Sequence, residues 1–237
     1  MITRRKFTAG AATTATGVAL WPQARADVAG RVRIGAGNHR YECEHDWGQP
    51  PPQIIYGITH GIVVDRKDHV HILHTSTKDS PSKDTVLHFD SKGRFIRSWG
   101  KDFEGSVHGF DLVEEGGREF LYITDQKRGL FKTTLDGKIV WHIEKPDFYR
   151  DKTLSFRPSN VAVAPSGDVY LSDGYGSYFI HHFDSRGRYK RTFGGPGQDK
   201  GQTTHPHGLF VDTRGKEPLL VEPKMIRPAK ALAAFRP

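Results

Sequence analysis

Residues 157–195 read RPSNVAVAPSGDVYLSDGYGSYFIHHFDSRGRYKRTFGG. Val161–Ala164 and Val169–Ser172 are short runs rich in β-formers, and Tyr178–Asp184 and Tyr189–Phe193 follow them. Pro165-Ser166-Gly167-Asp168 and Ser185-Arg186-Gly187 separate the pairs with turn chemistry, since Gly and Pro pre-set the backbone and Ser and Asp bond back to it. Four strands joined by tight turns over about 40 residues describe one blade of a β-propeller. A blade cannot bury both of its faces alone, so the stretch demands copies of itself.

The copies are present. HFDSKGRFIRSWG, residues 88–100, is nearly the same as HFDSRGRYKRTFGG, residues 182–195, and the residues before it, from Thr59, repeat the same plan. Val107–Ile143 supplies another copy, with Asp136-Gly137 as its last hairpin turn. HPHGLFVDTRGKEPLLV, residues 205–221, begins a fourth. The equivalent positions Gly61, Gly109, Asn160 and Gly208 are 48, 51 and 48 residues apart. The expected fold class is therefore all-β, a propeller with blades near 59–100, 107–143 and 157–195 and part of a fourth. At 40–50 residues per blade this is about four blades, at or below the smallest closed ring. An open arc exposes strand edges and apolar blade faces, which favours self-association.

The expected organisation places a signal peptide at 1–26, an entry segment at 27–55, the blades at 56–221 and an atypical tail at 222–237. Arg4-Arg5 is a twin-arginine pair, the run 8–20 is mildly apolar, and Ala24-Arg25-Ala26 is a cleavage signal. Export to the periplasm or beyond is the expectation, and the run is too short and too weakly apolar for a membrane span. In the tail, Pro223, Pro228 and Pro237 interrupt any strand, and residues 229–235 have the composition for one or two helical turns at most.

The formal charge of +8 falls to +4 once the leader's Arg4, Arg5, Lys6 and Arg25 are removed. Charges of both signs alternate along the loops and no basic stripe interleaves with aromatics, so nucleic acid is not an expected partner. Cys43 is the only cysteine. It excludes an internal disulfide and any site built on several cysteines, and it reads as a structural residue.

One residue before each repeat anchor stand His60, His108, Ser159 and His207. Positions of equal phase in successive blades surround a common axis, and neutral imidazoles converging on an axis suit zinc or a similar ion. His108 and His207 are two blades apart and rank first as ligands; His60, one blade from His108, ranks third. The remaining histidines in strands, among them His69, His71, His74, His88, His142, His181 and His182, read as structural or surface residues. A second column after each second strand holds Asp125, Asp173 and Glu222. The expectation there is a carboxylate that accepts backbone N–H bonds. Asp173 opens Asp173-Gly174-Tyr175-Gly176-Ser177, a tyrosine between glycines, which let the backbone fold tightly and leave the ring accessible.

These repeats resemble NHL repeats. The run from Pro158 to Gly195, followed by HPHGLFVD, is similar to the propeller lyase domain of peptidyl-α-hydroxyglycine α-amidating lyase and to the secreted bacterial propellers that resemble it. The similarity covers roughly His108 to Val221. It implies a six-bladed ring, a zinc held by three histidines, a structural calcium, and cleavage of a hydroxyglycine-extended peptide into a peptide amide and glyoxylate. Carried over, His108 and His207 fall on zinc-ligand positions and Tyr175 on the tyrosine that serves as base. The family pattern places its third histidine in a later blade, and His60 is the substitute available here. The chain departs from the family at 176–179, where Gly-Ser-Tyr-Phe stands for Cys-Asn-Ser-Arg, and at Glu222-Pro223-Lys224, where the family has an arginine. A free tyrosine titrates near about 10, so Tyr175 needs a metal or cation close by to act as a base. The expected partner is a small-molecule or peptide substrate. The alternative is a non-catalytic propeller that presents its loops to a protein or glycan. A calcium-dependent lactonase-type propeller would want acidic ligands where this chain has histidine.

Overall fold

The computed structural model describes residues 32–223 and 232–235. The chain divides into two compact units between Trp47 and Gly48. In the first unit, β1 (Val32–Ala36) and β2 (His39–Cys43) pair with each other as an antiparallel hairpin, and Cys43 at its end is half-buried. The stretch expected to be a twin-arginine leader, residues 1–26, lies outside the described residues. No helix among the described residues is long and apolar enough to cross a membrane.

The second unit is all-β and built from blades. The first contains β3 (Tyr56–Val64), β4 (Val70–Ser76), β5 (Val86–Phe89) and β6 (Phe95–Trp99), paired in that order. The second contains β7 (Val107–Glu115), β8 (Arg118–Asp125), β9 (Gly129–Thr134) and β10 (Ile139–Ile143). The third contains β11 (Asn160–Val163), β12 (Val169–Ser172), β13 (Phe179–Phe183) and β14 (Tyr189–Gly194). A three-stranded sheet of β15 (Phe210–Asp212), β16 (Leu219–Pro223) and β17 (Leu232–Phe235) follows. All neighbours within these sheets are antiparallel. The first strands pack in succession, β3 on β7, β7 on β11 and β11 on β15. Consecutive sheets joined through their first strands are a portion of a β-propeller.

The near-identical stretches fold identically because their turn chemistry is the same. Asp90 Oδ1 accepts the backbone N–H groups of Lys92 and Arg94, and Asp184 Oδ1 accepts those of Arg186 and Arg188. Gly93 and Gly187 both sit at φ 77°, in the left-handed region that Gly enters without strain. The hydrophobic core lies between blades. Leu73, Val86 and Phe103 pack against Leu121, Ile123 and Phe131 of the next blade. Tyr122 and Leu130 meet Val161, Leu171 and Phe183, and Tyr170 and Ile180 meet Leu209 and Leu220. Each such fully buried side chain contributes about 1.5–3 kcal/mol, so every blade is stabilised chiefly by its neighbours.

The residues expected to make helical turns near the C-terminus include a strand. β17 pairs with β16, with Leu220 opposite Phe235 and Pro223 opposite Leu232. The physical reason is the exposed edge of β16, whose free backbone groups offer a ladder to any short proline-free segment.

Candidate functional site

The axial histidines are aimed by irregularities in the strands that carry them. In β3 the register runs from Thr59 opposite His74 to Gly61 opposite Leu73, which leaves His60 as the extra residue. In β7 the register shifts between Val107 and Phe110, at His108. An extra residue in one strand bends it and re-aims its side chain. Glycine follows each of these histidines for a steric reason. A Cβ on Gly61 would lie 2.6 Å from Phe110 Cβ, and one on Gly109 would lie 2.8 Å from Asn160 Cα and Ser159 O. The anchors of the repeat are the points where the next blade's first strand presses closest.

The four residues singled out in the sequence come together. The ring of His60 is 4.9 Å from that of His108, centroid to centroid, and His108 is 4.8 Å from His207. His60, ranked third as a ligand, therefore stands beside His108. Tyr175 lies 5.0 Å from His108, and its hydroxyl is 2.7 Å from His207 Nε2. All four are half-buried. His60 Nε2 is buried without a hydrogen-bond partner. His108 Nδ1 lies 2.7 Å from Ser159 O, which fixes the proton on Nδ1 and leaves Nε2 with a free lone pair.

Burial lowers the pKa of all three imidazoles, and for His60 the neighbouring His108, His74 and His207 add to that, down to about 4. They are neutral at pH 7, the state in which imidazole binds a metal. The ring nitrogens are not drawn into one tight cluster, however. Among the described residues, the one trio of metal-type ligand atoms within 4.8 Å of one another is Asp65, His69 and His88, in the first blade.

Two further residues belong to this site and were not singled out in the sequence. Ser159, the exception in the histidine column, ties the site together. Its carbonyl holds His108, its hydroxyl donates to Pro206 O at 2.7 Å, and Gly174 N–H donates to the same hydroxyl at 3.1 Å. Pro206 precedes His207 and Gly174 precedes Tyr175, so one buried serine positions three neighbours. The second is His205, whose ring is 4.9 Å from Tyr175 and 6.0 Å from His207, stacked on it. The signal for it was the spacing in His205-Pro206-His207, two imidazoles flanking a proline.

Asp173 anchors the loop that carries Tyr175. Its carboxylate accepts the N–H groups of Arg157 and Ser177 and the hydroxyl of Tyr149, each at 2.6 Å. Burial raises its pKa, and those bonds oppose the rise. Tyr149 also meets His181 Nε2 at 3.0 Å, so a buried tyrosine, aspartate and histidine support the loop from behind. Asp125 plays the structural part its column predicts, taking the N–H groups of Lys127 and Arg128. The Arg157 guanidinium stands over the Tyr175 ring, 6.0 Å from its centre, as a cation–π contact.

The fold and these residues define a β-propeller with an axial cluster of imidazoles around a tyrosine. No protein-family model matches the chain. It is similar to the peptidylglycine α-amidating monooxygenases of Rattus norvegicus and Mus musculus, 26% identical to each, over 74% of this chain and 20% of those proteins. The chain thus spans about a fifth of the length of the curated relatives it matches. Among solved structures, a protein of unknown function from Bacteroides thetaiotaomicron superposes with a TM-score of 0.50 at 16% identity, over 75% of this chain and 47% of that one.

Proposed function

We propose that this chain is an exported NHL-type propeller with metal-dependent lyase activity, cleaving an N-acyl-α-hydroxyglycine to an amide and glyoxylate. The observation that carries the reading is the contact of Tyr175 with His207, within a cluster of neutral imidazoles that includes His108 and His60. The distant likeness to the peptidylglycine α-amidating proteins supports the substrate class.

The donor set suits a borderline metal such as zinc: three neutral imidazoles, one with an orphaned buried nitrogen and one with its lone pair freed by a carbonyl. His108, His207 and His60 would hold it. When bound, it would polarise the hydroxyl or carboxylate oxygen of the substrate. The protein's own part centres on Tyr175. Its phenol oxygen shares a proton with a neutral imidazole across 2.7 Å, so it has a route for passing on a proton taken from the substrate. Loss of the α-hydroxyl proton to Tyr175 lets the C–O bond become a carbonyl as the C–N bond breaks. The electron pair of that bond stays on the amide nitrogen, which takes up one proton. Arg157, over the face of the ring, helps hold it in place. Ser159 and Asp173 hold the imidazole and the phenol in place.

The test is to incubate the purified, zinc-loaded chain with an N-acyl-α-hydroxyglycine and measure glyoxylate. Release of amide and glyoxylate in equal amounts, lost in Tyr175→Phe, is expected. No turnover by the metal-loaded chain overturns the lyase reading in favour of a non-catalytic propeller that binds a protein or glycan.

A further inference from the structure

The three four-stranded blades each hold a carboxylate in or beside the turn between their first two strands, half-buried in the second and third and buried in the first, and each satisfies it differently. In the second blade Glu115 accepts from Lys132 Nζ at 2.5 Å. In the third, Asp168 meets His182 Nε2 at 3.0 Å and Lys190 Nζ at 3.1 Å. In both, a lysine supplies permanent positive charge. In the first blade the carboxylate is Asp65, 4% exposed, and the position equivalent to Lys190 is Ile96. Among the described residues the ionic partners of Asp65 are imidazoles alone, His71 at 3.1 Å and His69 at 3.8 Å.

We propose that Asp65, His69 and His88 form a divalent-metal site on the first blade, separate from the axial cluster and suited to zinc. His69 Nδ1 lies 3.1 Å from His88 Nε2 and 3.8 Å from Asp65 Oδ2, and all three ligand atoms are within 4.8 Å of one another. Two donors on a tetrahedral zinc, each about 2.0–2.1 Å from it, sit about 3.3 Å apart. The 3.1 Å between the two imidazole nitrogens is close to that spacing. Two imidazoles and a carboxylate leave a fourth position, and His69, the partly exposed member, provides the way in.

The surroundings orient the donors as a metal site requires. Asp65 Oδ1 accepts the N–H groups of Lys67 and His69, which fixes the carboxylate, and His71 Nε2 donates to Oδ2 from a fully buried ring. His71 also stacks on His88 at 4.2 Å, holding that ring in plane. Coordination through Nε2 puts the proton of His88 on Nδ1, where Arg97 Nε now lies at 3.4 Å. That contact is long for a hydrogen bond, and Arg97 keeps its bond to Leu135 O at 2.9 Å. The site would replace the missing lysine charge and join the β3–β4 turn to β5.

Cobalt(II) titration of the chelator-stripped full chain tests this, read by visible absorption and by stoichiometry. The double variant His108→Ala/His207→Ala removes two of the three axial donors and leaves His60 alone, too few to hold an ion there, so an equivalent it still binds belongs to the first blade. One equivalent is expected there, lost on adding His69→Ala, a half-exposed position where the fold should survive. His71→Phe in the same background should weaken binding by about 10–100-fold, the usual effect of removing a partner that orients a ligand. Zinc should raise the thermal midpoint of the double variant and not that of the variant also lacking His69. A double variant that binds no cobalt, or one whose equivalent survives His69→Ala, overturns this site and leaves the axial proposal standing. Conversely, a wild type whose single equivalent persists in the double variant supports this site and removes the axial one.

Discussion

The Tyr175 hydroxyl lies 2.7 Å from His207 Nε2, although the two residues are 32 positions apart and belong to different blades. The contact is made by the packing of β11 on β15, since neither residue's own hairpin brings them near. Tyr175→Phe removes the hydroxyl and keeps the ring edge-on to His108, His205 and His207. The expected outcome is a fall in glyoxylate release of about 10²–10⁴-fold, the usual contribution of a positioned acid or base, with bound metal and thermal midpoint unchanged. A variant that keeps most of its turnover rules out Tyr175 as the base.

Ser159 makes a separate prediction. Its hydroxyl is fully buried between Pro206 O and Gly174 N–H, and Ser159→Ala leaves both without that partner. Unmet buried backbone groups cost about 1–3 kcal/mol each. Urea denaturation should show a loss in that range, and metal affinity should fall as well, because the same residue sets the chain on either side of the site. A loss of stability with metal binding intact would confine Ser159 to a packing role.

Gly109→Ala should be worse than a typical surface change. Its Cβ would meet Asn160 Cα and Ser159 O at 2.8 Å and Thr124 Oγ1 at 2.9 Å, and two of these are backbone atoms of the next blade. Forcing the blades apart costs about 1–3 kcal/mol and shifts the carbonyl that holds His108. Gly215→Ala, whose Cβ would meet nothing nearer than Glu217 O at 3.4 Å and whose φ, like that of Gly109, lies outside the left-handed region, is the control for the substitution alone. Equal stability of the two variants would show that the close approach is not what selects glycine at the anchor.

The blade architecture was legible because turn chemistry recurs. Asp90 and Asp184 make the same bonds in nearly the same words of sequence. The axial histidines were legible for a related reason: equal phase becomes equal radius once blades pack. Ser159 was passed over because a serine among histidines reads as a gap, while its role depends on Pro206 O from the next sheet and the His108 ring from the preceding blade arriving beside it. His69 and His88 were read as ordinary structural or surface residues. His88 has a counterpart in His182, which meets Asp168, but the place of His88 near Asp65 appears only when β4 and β5 are set side by side, with His71 opposite His88. The strand at 232–235 was hidden because edge pairing depends on the exposed β16 more than on the tail's own composition.

His181 gives the fold a dependence on pH whose sign can be worked out. Its ring is fully buried, between Tyr149 at 3.0 Å and Thr192 Oγ1 at 2.8 Å. Burial pushes its pKa from 6.5 to about 3. Between those values the unfolded chain takes a proton that the folded chain refuses, so stability rises with pH across the window. His181's contribution is complete above about pH 6.5 and is lost as the pH falls toward about 3. The slope from one such group is about 1.4 kcal/mol per pH unit. Asp111 acts in the opposite sense, since burial raises it to about 6 and the folded chain there keeps a proton that the unfolded chain gives up. The comparison must therefore be made with the other groups in place. His181→Gln removes one titrating group and leaves Asp111 as it is. Urea midpoints converted to free energies at pH 8, 6, 5 and 4 should fall less steeply in the variant than in the wild type, by about 1.4 kcal/mol per pH unit below pH 6. Absolute stability at pH 8 can drop through the lost bonds to Tyr149 and Thr192 without touching this result, because the slope alone reports the proton. Parallel slopes in the two proteins would mean that His181 takes up its proton in the folded state, and the buried network behind Asp173 would then be a charged one.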